Sequence, residues 1–360
     1  MRPGRLSRLK VAVLFGGRSA EHEVSIVSAQ GVLAAMDTAR FQPVPIGVTR
    51  QGTWLTPAQT EQALERIRSE RLRGLDEPLG DGILYRVQAL AALRRMDVVF
   101  PLIHGNNGED GTLQGLLELA GVPYVGAGVA ASAIGMDKAL QKALFRHHGF
   151  PVADDALVLL SQWRRDRATV LRAAEAAIGY PCFVKPANGG SSLGTSRALS
   201  REDLEAALEE AFCYDRKALV EAAIVGREME VAILGNDDAE ASPVGEITYR
   251  GEFYDYRAKY DDPNTQLHIP ADIPPEVADA IRAAALDAYR AIDCAGLARV
   301  DFFLTAEGQF YLNEINTIPG FTPMSMYPKL WEHAGLSYDD LITRLIELAL
   351  ERHEERRRGA

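Results

Sequence analysis

The sequence predicts an α/β protein that is divided into two or three domains. The chain has 360 residues, whereas a single domain usually has roughly 100–200. In its first third, short apolar runs alternate with amphipathic segments, which is typical of a parallel α/β domain. The rest begins with a helical segment and ends with a predicted hairpin and a long helix.

The first predicted domain covers residues 1–126. Its expected elements are the strand Lys10–Phe15, a turn at Gly16-Gly17, the helix Glu21–Met36, and the strands Pro43–Val48 and Asp97–Leu102. Such apolar strands are buried on both faces, as in a parallel sheet. Thr56–Arg95 is polar and irregular apart from one amphipathic helix near Gln59–Arg73, and we assign it no chemistry.

Residues 127–217 and 218–360 form the second and third predicted domains. We expect the second to contain the helix Ala130–His148, strands near Ala156–Leu160 and Cys182–Lys185, and the helix Arg201–Phe212. We expect the third to contain the strands Ala218–Glu221 and Glu228–Leu234, the helix Pro275–Ile292, a hairpin near Ala298–Ile315 and the helix Tyr338–Arg352.

The charge of the chain argues against nucleic acid as its main partner. The formal net charge is −11 at pH 7, and binding to a nucleic-acid backbone needs a large basic surface. An acidic protein can still hold a small anion through a few placed lysines, arginines or metal ions.

Cysteine usage and hydropathy predict a soluble, cytoplasmic protein without a membrane partner. Cys182, Cys213 and Cys294 match no zinc-binding spacing, and so sparse and odd a set is typical of a reducing compartment. The uncharged stretch Leu119–Met136 is interrupted by glycines and Pro123, so we interpret it as a strand, a turn and the start of a helix.

A glycine-rich loop follows the predicted strand that ends at Lys185. The loop contains Gly189, Gly190 and Gly194 with two serines between them. Glycines let backbone N–H groups approach an anion closely, and the lysine adds a positive charge. The loop therefore predicts a phosphate site, with a flexible surface turn as the alternative.

Four polar side chains of the predicted hairpin share one face. With Ala306 and Glu307 as the turn, Arg299 lies opposite Glu314 and Asp301 opposite Leu312. Because side chains two apart point to the same side of a strand, the polar face consists of Arg299, Asp301, Glu314 and Asn316.

This polar face suits a magnesium ion. Two carboxylates and an amide oxygen are ligands that Mg²⁺ accepts, and an arginine beside them can stabilise negative charge in a transition state. A solvent-exposed hairpin with alternating charges is the alternative. The coincidence of this face with the loop after Lys185 favours a site for phosphate and metal.

Several segments together resemble the ATP-grasp ligases. They are Lys138, the loop after Lys185, the stretch Glu221–Glu228 and the run Asn313–Thr317. Within that group, four further motifs resemble the D-alanine–D-alanine ligases: Gly16–Ser25, His104–Gly111, Tyr254–Tyr260 and Pro319–Met326. The resemblance spans about residues 10–350, and it implies an N-terminal parallel α/β domain followed by a two-part ATP-grasp module of α+β type.

The resemblance implies a reaction and its cofactors. In that family ATP phosphorylates the carboxylate of one D-alanine, and the amine of a second D-alanine attacks the acyl phosphate. The product, D-alanyl-D-alanine, serves peptidoglycan synthesis. The resemblance implies a homodimer and two Mg²⁺ ions, for which Mn²⁺ can substitute, held by Asp301, Glu314 and Asn316.

The resemblance also implies a role for each matching residue. Lys138 and Lys185 would hold ATP phosphates, with Lys259 near the γ-phosphate. The residues for adenine and ribose would be Glu221, the backbone of Ala222 and Ile224, and Glu228. Ala222 lacks the long side chain that some relatives have there, so it offers only its backbone.

The remaining implied roles concern the two amino-acid substrates. Arg299 and the backbone N–H of Gly320 would form the oxyanion site. Glu21 would hold the first ammonium group within a trio formed with Ser191 and Tyr260, while His104 and Ser325 would contact the substrates. The lids that exclude water would be the Gly189–Gly194 loop and the segment Glu252–Thr265.

Each of these residues has a simpler interpretation. Glu21 could favour a helix N-terminus, His104 could be a satisfied core histidine, and Ser325 could cap the next helix. Tyr260 could be a packing residue, and Glu252–Thr265 an ordinary loop.

Other functions remain open at the level of sequence. A Gly-x-Gly-x-x-Ala pattern at Gly126–Ala131, with Asp154 and Asp155 further on, would suit a nicotinamide-dependent oxidoreductase. Another ATP-grasp ligase, including one that makes D-alanyl–D-lactate, and a non-catalytic nucleotide sensor are the nearer alternatives.

Overall fold

The computed structural model describes residues 8–70, 74, 75, 91–249 and 264–358. Lys259, Tyr260 and nearly all of the predicted lid segment Glu252–Thr265 lie outside these residues, so their predicted roles stay predictions. Among the helices of the described residues, none is long and apolar enough to cross a membrane.

The N-terminal part is the predicted parallel α/β unit. Its described strands, β1 (Leu9–Gly16), β2 (Phe41–Val48) and β3 (Val98–Pro101), form a parallel sheet in the order β2-β1-β3. The run Val11–Phe15 is fully buried, as expected for the central strand of a sheet covered on both faces. The accompanying helices are α1 (His22–Ala35), α2 (Pro57–Glu70) and α3 (Thr112–Ala120).

A glycine turn brings the end of β1 to the start of α1. Gly16 has a φ of +92°, and a Cβ atom there would lie 2.2 Å from the carbonyl oxygen of Val48. Only glycine can occupy this position, because both the backbone conformation and the space exclude a side chain. The turn therefore directs Glu21, at the N-terminal end of α1, toward the middle of the molecule.

The central part is built on an antiparallel sheet in the order β4-β7-β5-β6. Its strands are β4 (Asp155–Leu159), β5 (Cys182–Pro186), β6 (Ser196–Ala198) and β7 (Lys217–Ala222). Its helices are α4 (Val129–Met136), α5 (Lys138–His147), α6 (Leu160–Arg165), α7 (Arg167–Ala177) and α8 (Arg201–Ala211). Strand β7 therefore belongs to this sheet although most of it lies in the third predicted domain, residues 218–360. The division between the second and third domains stays a prediction.

The prediction of one continuous helix over Ala130–His148 was wrong. Asp137 has extended backbone angles (φ −95°, ψ 97°), which separate α4 from α5. Its side chain accepts hydrogen bonds from the N–H groups of Ala139 and Leu140. An aspartate side chain that accepts hydrogen bonds from the backbone N–H groups that follow it ends one helix and starts the next.

The C-terminal part contains the second antiparallel sheet, in the order β11-β10-β8-β12-β13 with β9 beside β8. Its strands are β8 (Arg227–Gly235), β9 (Glu240–Ala241), β10 (Gly245–Thr248), β11 (Gln266–His268), β12 (Gly296–Leu304) and β13 (Phe310–Asn316). The helices are α9 (Pro275–Ala291), α10 (Met326–His333) and α11 (Tyr338–Arg358).

The predicted hairpin exists, but its predicted register was wrong. The turn has three residues rather than two, with Gly308 at a φ of +83°, because Thr305 pairs with Gln309. A bulge beyond Phe302 then shifts the pairing, so that Asp301 faces Glu314 and Arg299 faces Asn316. Since opposite residues point to the same side, the four polar groups still share one face.

Helix α11 joins the C-terminal part to the N-terminal sheet. Its buried residues Leu341 and Leu345 belong to the same apolar core as Val13 and Phe100 of that sheet. Arg352, further along the helix, also donates to the carbonyl oxygen of Gly126. The two ends of the chain therefore share one core, and the site lies next to it.

Candidate active site

A cleft of about 880 Å³ brings the three sheets together around one set of polar residues. Its walls come from the start of α1, the loop after β5, the end of β7 and the β8–β12–β13 face. Every predicted site residue that the structure describes lines this cleft. These are Glu21, His104, Lys138, Lys185, Ser191, Glu221, Ala222, Ile224, Glu228, Arg299, Asp301, Glu314, Asn316, Gly320 and Ser325.

Glu221 pairs with two lysines, of which Lys185 lines the cleft and Lys142 is buried behind it. Its carboxylate lies 2.5 Å from the Nζ atom of Lys185 and also pairs with Lys142. Burial disfavours the charged form of Glu221, but the two ammonium groups outweigh it and lower its pKa to about 2. The pair with Glu221 also outweighs burial at Lys185, whose pKa is raised, so that Lys185 is held in place as a cation.

The glycine loop folds into the cleft. Lys138 donates from Nζ to the carbonyl oxygen of Gly189 at 2.7 Å and lies 3.4 Å from a carboxylate oxygen of Glu314. Ser191 is buried and has a φ of +51°, a conformation that few side chains adopt. The loop therefore lies against the cleft and is not a surface turn, as the alternative had it.

Arg299 holds two carboxylates in the β8–β12 part of the face. Its Nε and Nη2 atoms donate to both oxygens of Asp301, at 2.7 and 2.6 Å. Its Nε atom also lies 3.1 Å from Glu230, which is 3% exposed. This bidentate pairing fixes the plane of the guanidinium group.

The donor atoms of the hairpin fit a divalent cation. Asp301 and Glu314 face each other across the ladder, so their carboxylate oxygens lie on one face where a divalent cation could bind both. Asn316 donates from Nδ2 to Asp301 at 3.0 Å, which leaves its amide oxygen for another partner. Throughout the described ranges no three His, Cys, Asp or Glu side chains converge on one point, so phosphate oxygens and water would complete the coordination of Mg²⁺.

Glu21 connects the N-terminal unit to the glycine loop. Its Oε1 atom accepts a hydrogen bond from the hydroxyl of Ser191. A Cβ atom at Gly190 would lie 2.6 Å from its Oε2 atom, so this carboxylate also needs the glycine. Glu21 also stands at the N-cap position of α1 without a side-chain capping bond, so the simpler interpretation, a charge that favours the helix N-terminus, fits its position as well.

His104 is not a satisfied core histidine. Its Nδ1 atom lies 3.1 Å from the carbonyl oxygen of Ile318, while its Nε2 atom has no hydrogen-bond partner among the residues that the structure describes. Burial lowers the pKa of His104 despite the nearby charge of Glu21. The neutral ring therefore donates through Nδ1 and presents a lone pair on Nε2 at the wall of the cleft.

The loop before α10 forms the opposite end of the cleft. Ser325 stands at the N-cap position of α10 but makes no capping bond, so the capping alternative is wrong. Its hydroxyl instead accepts from the N–H group of Thr322 at 3.1 Å. Gly320 lies beside it, since a Cβ atom there would be 3.2 Å from the Ser325 Oγ atom.

The predicted nucleotide-base wall is formed by the end of β7 and the following turn. The N–H group of Ala222 donates to Asp154 at 2.9 Å, so this donor is engaged within the protein. Glu228 accepts a hydrogen bond of 2.6 Å from the hydroxyl of Tyr249. Ile224 lies on the same wall.

Sequence reasoning missed three residues of the site. Glu230 lies two residues after Glu228 on the same strand face, a period-two signal that was available. Lys142 lies one helical turn after Lys138. Glu109 lies within a motif already noted, and burial, followed by the charge of Glu21, raises its pKa to about 8.

The glycine pattern at Gly126–Ala131 is a packing feature. A Cβ atom at Gly296 would lie 3.0 Å from the backbone nitrogen of Gly126. Arg352 donates a hydrogen bond to the carbonyl oxygen of Gly126. A dinucleotide needs an open glycine turn before a helix. The oxidoreductase alternative therefore has no structural support.

The two antiparallel sheets, with the cleft between them, form the predicted ATP-grasp fold. Residues 10–127 match the family model of the D-ala D-ala ligase N-terminus, and residues 144–347 match that of the D-ala D-ala ligase C-terminus. The chain belongs to the D-alanine–D-alanine ligase family, and the resemblance predicted from its motifs is confirmed.

Full-length relatives agree with the family models. The chain is 49% identical over 354 residues to the D-alanine–D-alanine ligase of Geobacillus kaustophilus, covering 97% of this chain and 96% of the relative. It is 51% identical over 345 residues to that of Deinococcus radiodurans, covering 95% and 98% respectively.

Two solved structures have the same fold. The D-alanine–D-alanine ligase of Coxiella burnetii superposes with a TM-score of 0.79 at 37% identity, covering 98% of this chain and 96% of the other. The D-Ala:D-Ser ligase VanG of Enterococcus faecalis superposes with a TM-score of 0.78 at 34% identity, covering 95% of this chain and all of the other.

Proposed function

We propose that the protein uses ATP to join two D-alanine molecules into D-alanyl-D-alanine for peptidoglycan synthesis. The observation that carries the proposal is the cleft itself. It places two partly buried lysines, Lys138 and Lys185, and the glycine loop opposite the hairpin carboxylates, with Arg299 among them. Phosphoryl transfer depends mainly on such positioning and charge neutralisation.

The lysines and the hairpin account for phosphate binding. Lys138 and Lys185 would hold the phosphates of ATP, and Asp301, Glu314 and Asn316 would hold Mg²⁺ or Mn²⁺. The cation would neutralise charge on the transferred phosphoryl group. Glu221, Ile224 and Glu228 would receive the nucleoside, and Lys259 would approach the γ-phosphate.

The other end of the cleft would hold the amino acids. Glu21, fixed by Ser191 and in our proposal by Tyr260, would bind the ammonium group of the first D-alanine. The lone pair of His104 would accept a hydrogen bond from a substrate. Arg299 and the N–H group of Gly320 would stabilise the oxyanion formed when the second amine attacks, and Ser325 would contact the second carboxylate.

Two broader properties belong to the same proposal. We expect a cytoplasmic enzyme, since its substrates are small phosphorylated and amino-acid metabolites. We also expect a homodimer, as the family resemblance implies. Size-exclusion chromatography with light scattering measures the second property directly.

The decisive experiment is phosphate release from ATP with single candidate substrates. We expect rapid release with D-alanine and magnesium, and almost none with L-alanine or without an amino acid. Mass spectrometry of the product should show D-alanyl-D-alanine. ATP hydrolysis that is independent of D-alanine would contradict the proposal.

A second nucleophile is worth testing because of one relative. The structural similarity to a D-Ala:D-Ser ligase makes D-serine a candidate for the second position. Mixtures of D-alanine with D-serine or D-lactate would give mixed products in proportion to their use. A dominant mixed product would reassign the second substrate but leave the ATP-dependent ligation intact.

A further inference from the structure

We propose that Gln141 is a positioning residue for the predicted metal site. It would set the two ligands on β13, Glu314 and Asn316, by pairing with the peptide groups of Ile315 between them. This inference rests on the proposed function only in that the site binds a metal. The pairing of Gln141 with Ile315 is a property of the fold.

Both polar atoms of the Gln141 side-chain amide bond to backbone groups. Gln141 is 1% exposed on α5. Its Oε1 atom accepts from the N–H group of Ile315 at 3.0 Å. Its Nε2 atom donates to the carbonyl oxygen of Gly135 and, at 3.4 Å, to that of Ile315. The amide thus pairs with one residue of β13 as a neighbouring strand would.

β13 needs such a partner because it is the last strand of its sheet. One side of β13 pairs with β12, and the outer side has no further strand among the described elements. Alternate residues of an edge strand direct their peptide groups outward, and Ile315, whose N–H and C=O groups both bond to Gln141, is one of these residues. Gln141 therefore satisfies the backbone where the ladder does not.

The position of the Ile315 peptide groups determines where the side chains of Glu314 and Asn316 lie. Ile315 is fully buried in the core, so its neighbours Glu314 and Asn316 point to the opposite face. A shift of the Ile315 peptide would move both of them together. Since metal sites require ligands held close to their final positions, a loose outer strand would weaken the site.

The same helix positions the adjacent phosphate ligand. Lys138 lies one turn before Gln141 on α5, and its Nζ atom is 3.4 Å from Glu314. The helix therefore contacts β13 at two points. Gln141 bonds to the backbone of Ile315, and Lys138 pairs with the side chain of Glu314, a proposed metal ligand. Gln141 fixes the distance between the lysine and the carboxylates.

The test replaces Gln141 with methionine, which has a similar volume but cannot make these hydrogen bonds. We expect the Ile315 amide to exchange with deuterium about tenfold faster, as loss of a hydrogen bond of about 1.4 kcal/mol allows. We expect Mn²⁺, measured by electron paramagnetic resonance with a non-hydrolysable ATP analogue, to bind at least about tenfold more weakly. Binding of the analogue without metal should change less than about twofold, because nucleoside contacts lie elsewhere.

Tyr289→Phe is the matched control. Tyr289 is also buried, in the same core, and its hydroxyl donates to the carbonyl oxygen of Gly235 at 2.7 Å, at the other end of β8. This variant loses a comparable hydrogen bond to the same sheet. We expect parental Mn²⁺ affinity and parental exchange at Ile315.

Each outcome decides a separate question. Faster exchange at Ile315 with unchanged Mn²⁺ affinity would make Gln141 merely structural and overturn the inference. Absence of Mn²⁺ binding in the parent would also overturn it. If Gln141→Met does not fold, Gln141→Glu replaces it, because a carboxylate keeps the acceptor for the Ile315 N–H group but loses the donor to the carbonyl oxygens of Gly135 and Ile315. We expect weaker Mn²⁺ binding in this variant, and parental Mn²⁺ affinity would overturn the inference. None of these measurements requires turnover, so failure of the proposed reaction is detected independently.

Discussion

At the scale of single residues, Arg299 determines the charge balance of the cleft. It pairs with both oxygens of Asp301 and with Glu230, so its proposed catalytic role is combined with a structural one. Removing one partner of a buried pair leaves an uncompensated charge, at a cost of about 3–5 kcal/mol. In Arg299→Ala, a fall in turnover could therefore come from lower stability or from lost catalysis, and the two effects would not be separable.

Arg299→Lys separates the two effects. Lysine keeps the positive charge but loses the rigid fork that holds Asp301 and that, in our proposal, would face the oxyanion. We expect turnover to fall by about 10²–10³, while ATP affinity changes little. Near-normal turnover would remove Arg299 from the oxyanion site.

The control for this substitution is Arg227→Lys. Arg227 makes the same bidentate pair with Glu246, at 2.8 and 2.6 Å on the same sheet, but it does not line the cleft. Turnover of this variant should stay within about twofold of the parent, because neither residue of the pair lines the cleft.

At the scale of elements, the start of α5 connects the glycine loop to the rest of the site. Asp137 caps this helix with one carboxylate oxygen and pairs with Lys217 through the other. The N–H group of Lys138, the first residue of the helix, donates to Ala187 at 2.9 Å, at the root of the loop. The cap thus aligns Lys138 with the loop that it contacts.

Asp137→Ala should consequently affect both stability and nucleotide binding. We expect a loss of about 1–2 kcal/mol from the cap, with more from the unpaired Lys217. The KM for ATP should rise severalfold because Lys138 is less well placed. Urea unfolding and steady-state kinetics measure the two effects.

Asp166→Ala distinguishes these effects from the loss of any helix cap. Asp166 caps α7 by accepting from the N–H group of Thr169 at 3.0 Å, away from the cleft. Its replacement should destabilise the protein without changing the KM for ATP. An equal rise of the KM for ATP in Asp137→Ala and Asp166→Ala would argue against a special role of the α5 cap in nucleotide binding.

At the scale of the whole molecule, the cleft concentrates acids between the N-terminal unit and the two antiparallel sheets. Glu109 accepts from the N–H group of Gly105 at 2.9 Å, and it lines the cleft with Glu21 and Glu314. Burial and the charge of Glu21 raise the pKa of Glu109 from 4.5 to about 8. Folding therefore takes up a proton at neutral pH.

This proton uptake predicts the direction of a pH effect on stability. Between about pH 4.5 and 8 the folded protein keeps a proton on Glu109 that the unfolded chain releases. The contribution of Glu109 to the free energy of unfolding therefore falls as pH rises through this window. Glu109→Gln removes that contribution, since an amide does not titrate.

The measurement is the melting temperature of Glu109→Gln minus that of the parent. We expect this difference to become more positive between pH 5 and pH 8, by at least about 2–4 °C, the effect of 1 kcal/mol in a domain of roughly 150–250 residues. A difference that does not vary with pH would show that Glu109 is ionised in the folded protein at neutral pH.

The sequence by itself determined the features that depend on short-range patterns. The apolar run Val11–Phe15 predicted the central strand, and period-two spacing predicted that Arg299 and Asp301 share a face. The phosphate loop was predictable because glycines and a lysine follow a strand within a few residues. Family motifs then placed the remaining site residues in one cleft, although the roles of these residues stay predictions.

Only the tertiary structure decided the pairings that join distant segments. Gln141 and Ile315 are 174 residues apart, and Ser191 and Glu21 are 170 apart. The bulge that pairs Asp301 with Glu314, and the carboxylate of Glu230 on Arg299, also depend on neighbouring strands. Local periodicity carries no information about such partners, because the free energy that selects them comes from satisfying buried polar groups across the assembled core.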